Sequence, residues 1–102
     1  MVLSLRNVLA PAAALEVAKV HLKNARETEN SELALTFCGE AITALSRIRR
    51  SVRKTLVASS CAEDRSLRNE IAATYLEFGR LLDRLESRSK AKACYMNVEK
   101  WG

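Results

Sequence analysis

One spacing of small and larger residues occurs twice in this 102-residue chain. Ala34, Cys38 and Ala41 step by four and three, and Ala91, Tyr95 and Val98 repeat those steps in the second half. Such steps bring side chains to one face of an α-helix, and small residues there let a neighbouring helix approach closely. An amphipathic segment precedes each set, so each half reads as a pair of antiparallel helices. Little interrupts them, since the chain holds one proline, Pro11, and three glycines. The fold class that follows is all-α, built of antiparallel helical hairpins.

The apolar stripes set the expected boundaries. Pro11 suits the first turn of a helix, where its missing N–H is not needed, and Leu15, Ala18, Leu22 and Ala25 carry that helix to about residue 26. Residues 27–30 turn the chain, with Asn30 or Ser31 as the next cap. Ala34, Phe37, Cys38, Ala41, Leu45, Ile48, Val52 and Leu56 then form one unbroken stripe, which predicts a single long helix to about residue 58. Ser60 and Glu63 have capping-box spacing for a third helix, striped by Leu67, Ile71, Tyr75, Phe78, Leu82 and Leu85. Glu86 and Ser87 turn the chain into a fourth. The expectation is four helices in one domain, 11–102, with hairpins at about 11–58 and 63–100. An apolar arm at 1–10 precedes it, to cover an end of the core or dock on another chain.

Charge and cysteine usage narrow the function. Seventeen basic against twelve acidic residues leave a net charge of +5, which favours acidic protein surfaces, nucleic acid or anionic membrane as partners. Cys38, Cys61 and Cys94 are an odd number without CxxC spacing, and His21 is the single histidine. No metal site or cofactor is therefore expected, and the thiols read as reduced cysteines of a cytoplasmic or nuclear protein. No apolar run reaches the roughly 20 residues of a membrane span. A mitochondrial presequence is the less favoured reading of the start, where Arg6 is basic and the first acid is Glu16. No Gly-rich phosphate loop, nucleophile elbow or HExxH stretch occurs, so an enzyme is not expected.

In the second half, Phe78-Gly79 sets a large residue before a small one, Leu82 and Leu85 follow, and Ala91, Tyr95 and Val98 come after the turn. In the first half Leu22 stands where Gly79 does, and Ala34, Cys38 and Ala41 follow. This pattern resembles the tetratricopeptide repeat, a helix-turn-helix unit of about 34 residues, over roughly 15–48 and 72–102. The Trp and Pro usual in that motif are missing from both halves. The tail KAKACYMNVEKWG also resembles helical segments of large multidomain fungal proteins. A plain four-helix bundle uses the same stripes.

The tetratricopeptide resemblance implies a non-catalytic interaction scaffold whose groove, lined by the first helix of each hairpin, takes an extended peptide or a partner helix. Carried onto this chain, the groove positions are Glu16, Lys19, Lys23, Arg26, Ala73, Leu76, Arg80, Asp83 and Arg84. Their basic members, Lys19, Lys23, Arg26, Arg80 and Arg84, would contact an acidic peptide or protein. Two hairpins are fewer than the three or so a helical stack normally needs, so a homodimer or a longer parent protein is expected to cover the ends. The alternative site is the run Arg47, Arg49, Arg50, Arg53 and Lys54, which holds no acid and would bind nucleic acid or another anionic surface through phosphates. The acids Glu63, Asp64, Glu70 and Glu77 of the third helix are candidates to neutralise it.

Overall fold

Five helices follow one another in the computed structural model, which describes residues 10–102. The arm expected at 1–10 therefore lies, but for Ala10, outside the described residues. The helices are α1 (Pro11–Glu27), α2 (Ser31–Ser46), α3 (Arg50–Ala58), α4 (Ala62–Arg84) and α5 (Arg88–Trp101). The described residues contain no strand, and the fold is all-α.

Local chemistry accounts for the start of α1 and the first turn. Pro11 occupies the first helical position, and α1 buries Ala14, Leu15, Ala18, Leu22 and Ala25. Asn30 caps α2, its Oδ1 accepting from the Leu33 N–H at 3.1 Å, while the Thr28 hydroxyl accepts from the Asn30 N–H. Four orphan N–H groups at a helix start need such acceptors.

The single helix expected over about 31–58 is instead two. α2 stops at Ser46, where tight bonds from Arg47 N–H to Ala44 and from Ile48 N–H to Leu45 close its last turn. Arg49 is extended and begins α3. Like-charge repulsion favours the break: an unbroken helix would stack Arg47 on Arg50, Arg49 on Arg53 and Arg50 on Lys54 at steps of three and four. Ile48 stays buried at the corner and α3 turns onto α4, so the stripe continues across the break.

The cap expected from Ser60 and Glu63 is also replaced. Cys61 is the cap residue and makes no side-chain capping bond; the Ser59 hydroxyl instead donates to Asp64 Oδ2 at 2.7 Å and accepts from the Cys61 N–H at 3.1 Å. Further along, Arg68 on α4 donates to the Val57 carbonyl at 3.2 Å, tying the end of α3 to α4.

α4 is the hub. It packs against each of the other four helices, while the largest interfaces are α1 with α2 and α4 with α5. Tyr75, Phe78, Ile71 and Leu82 of α4 are fully buried with Leu45, Cys38 and Cys94, and large apolar side chains so buried contribute about 1.5–3 kcal/mol each. Thr74 is buried too, its hydroxyl bonded to the Glu70 carbonyl. The hairpin from α4 to α5 ends in a Schellman turn: Ser87 N–H bonds Leu82 and Glu86 N–H bonds Asp83. Glu86 there has φ 62°, a left-handed conformation usually given to glycine. Trp101 closes the core from the other end of α5, where Ile42, Leu45, Ile48 and Tyr75 surround it.

Candidate functional site

Two ion pairs bridge the first helices of the two hairpins. Lys19 Nζ lies 3.0 Å from Glu70 Oε2, and Arg26 Nη2 lies 3.5 Å from Glu77 Oε1. Each pair advances seven residues along both helices, so α1 and α4 run in the same direction. The pairs therefore place Lys19 and Arg26 of α1 beside α4. The Glu70 hydrogen bond raises the Lys19 pKa. All four partners are about half exposed, and surface pairs of this kind add little stability.

The same pairs divide the five expected groove cations. Lys19 and Arg26 are matched within the chain, whereas Lys23, Arg80 and Arg84 are exposed and make no ion pair among the described residues. Asp83, another groove position, accepts from the Tyr95 hydroxyl at 2.6 Å, which raises the Tyr95 pKa. Tyr95 also lies over Gly79, where an added Cβ would come within 2.5 Å of its Cε1. The positions that carried the repeat resemblance thus pack the second hairpin together.

Two adjoining hollows open beside α1 and α4. One, of about 480 Å³, is lined by Arg26, Glu77, Arg80, Asp83, Arg84 and Tyr95. The other, of about 610 Å³, lies where α1 ends, α2 begins and α4 ends, and has Ala25, Ala34, Leu81 and Leu85 beside Thr28, Glu29 and Ser31. Arg26 and Arg84 line both. The resemblance points to the cations here but not to Leu81, which stands off the apolar stripe of the third helix, whereas Ala25, Ala34 and Leu85 read as core. Lys19 and Lys23 lie farther back along α1 and line neither hollow.

The alternative cations sit at the α2–α3 corner. Arg47 is the last cap of α2, Arg49 the cap and Arg50 the first residue of α3, and Lys54 is exposed beside half-buried Arg53. None of the five makes an ion pair among the described residues. The acids expected to neutralise them are used elsewhere: Asp64 by Ser59, Glu70 by Lys19 and Glu77 by Arg26. Glu63 makes no ion pair among the described residues.

His21, the single histidine, is half-buried between α1 and α2, stacked on Phe37 with ring centroids 6.0 Å apart and 3.5 Å from Glu40. The buried thiols are poor nucleophiles. Burial, with Cys38 nearby, pushes Cys94 up to about 11, and burial raises Cys38 itself, so both are protonated at neutral pH. Cys61 is exposed at the start of α4. Among the described residues no group of three or more His, Cys, Asp or Glu side chains is placed to hold a metal ion. No helix there is long and apolar enough to cross a membrane. Compared with known proteins, the chain matches no family model, no curated protein sequence and no solved structure.

Proposed function

We propose that this chain is a non-catalytic, cytoplasmic interaction scaffold of tetratricopeptide-like design that binds an acidic protein segment across the α1–α4 face. The observation that carries the reading is the pair of adjoining hollows sharing Arg26 and Arg84. Charged and polar groups line both, with Arg26 and Arg84 between them, which suits a peptide carrying several acidic residues. Arg guanidinium groups pair with carboxylates in a planar, two-pronged way, and Arg80 and Arg84 have no carboxylate of their own in an ion pair among the described residues. The parallel course of α1 and α4 and the seating of α4 against both α1 and α2 support a stacked pair of hairpins.

The test is fluorescence anisotropy with a labelled library of acidic peptides. Arg80→Glu with Arg84→Glu is expected to weaken the best binder at least tenfold, about 1.4 kcal/mol, with helicity unchanged. Equal binding by the double variant refutes the site. The homodimer expected from the sequence would use the outer face of α1 and α2, where Val17, Val20 and Leu33 are exposed. A monomeric mass by sedimentation at high concentration removes it.

A second reading is anion binding at the α2–α3 corner. It is favoured by one observation, the lack of any ion pair to Arg47, Arg49, Arg50, Arg53 or Lys54 among the described residues.

A further inference from the structure

The corner gains a cation from a distant part of the chain. Lys100, in the last turn of α5, lines a hollow of about 220 Å³ together with Arg53, Lys54, Val57 and Ala58 of α3. It reaches that position because Trp101, its neighbour, is buried against the end of α2 and the middle of α4. Nothing in the spacing of the basic run points to a residue so far along the chain. Arg47, Arg49 and Arg50 lie in the adjoining turn and at the start of α3, and none of the six cations makes an ion pair among the described residues. The acids closest in sequence are Glu99, exposed beside Lys100, and Glu63 and Asp64 at the start of α4, where Asp64 already accepts from Ser59.

We propose that this composite corner is a binding surface for the phosphodiester backbone of nucleic acid, an inference that rests on the second reading above and extends it to Lys100. Charge complementarity carries the choice of partner. Four of the six groups are Arg, whose fork matches phosphate oxygens. Among the described residues the large exposed apolar side chains, Val17, Val20, Leu33 and Met96, all lie outside the corner. The exposed residues of the corner include no aromatic group to stack on bases, so contacts fall on the backbone and sequence is not read.

The experiment titrates the whole chain against a labelled DNA duplex of roughly 20 base pairs between about 50 and 200 mM salt. If all six cations meet phosphates, the log–log salt slope is about −5 and affinity falls by about 10³ over that range. Lys100→Gln is expected to lower the slope by about one, as is Arg50→Gln. Lys92→Gln removes the same charge from the exposed start of α5 and should leave the slope unchanged. If Arg50→Gln acts but Lys100→Gln behaves like Lys92→Gln, the composite surface is overturned while the second reading stands. Binding without salt dependence, or none at all, overturns both. Equal binding of polyglutamate overturns nucleic acid as the partner.

Discussion

Gly79 and Gly39 both sit inside helices, and the structure gives them opposite responses to the same substitution. Alanine is favoured over glycine in a helix interior by about 1 kcal/mol. At Gly39 an added Cβ meets nothing within 4 Å, so Gly39→Ala should stabilise by about 0.5–1 kcal/mol. At Gly79 the same methyl falls 2.5 Å from Tyr95 Cε1, 2.9 Å from Cδ1 and 3.0 Å from Cζ. The ring cannot swing away freely, because its hydroxyl is bonded to Asp83. Overpacking of this kind costs about 1–3 kcal/mol, which outweighs the helix preference and leaves Gly79→Ala less stable by about 1 kcal/mol. For a domain of this size each kcal/mol shifts Tm by about 4–8 °C, so the two variants should move in opposite directions. Urea and thermal unfolding followed by circular dichroism measure both. The two sites should also be coupled: in a Tyr95→Ala background, Gly79→Ala should become stabilising, with a coupling above about 1 kcal/mol. If Gly79→Ala in the native background stabilises as Gly39→Ala does, the close approach of α4 and α5 is wrong.

Two further expectations follow from the core and the hairpin turn. Burial pushes Tyr75 up to about 12 from 10.0 and Cys94 up to about 11 from 9.0. Because the unfolded chain gives up these protons first, stability is intact below about pH 9 and is lost as pH rises through about 11 to 12. A urea midpoint that stays level to pH 12 would contradict this. At the α4–α5 turn, Glu86→Gly should relieve the left-handed backbone at φ 62° and raise stability by about 0.5–1 kcal/mol; a lower unfolding midpoint would refute it.

Much of the fold was legible in the stripes. Leu15, Ala18, Leu22 and Ala25, and again Ile71, Tyr75, Phe78 and Leu82, are buried as their spacing requires, because a helical stripe must cover its apolar face whatever it packs against. Pro11 and Asn30 mark the start of α1 and the cap of α2, since each acts through its own backbone. The break at residues 47–49 was not legible. The apolar period survives it, and the stacking of arginines that opposes a continuous helix leaves no gap in the stripe.

Sequence alone therefore determined that the chain is helical, which faces are apolar, and that its charge is unevenly spread. Those properties are local, set by residues within one or two turns of each other. Tertiary structure alone decided that Glu70 and Glu77 would meet Lys19 and Arg26 rather than the basic run. It also made α4 the helix that touches all the others, and carried Lys100 to the side of Arg53 and Lys54. The reason is the same in each case. A charged residue on a helix surface can pair with any of several partners, and only the packing of the apolar faces beneath it selects one.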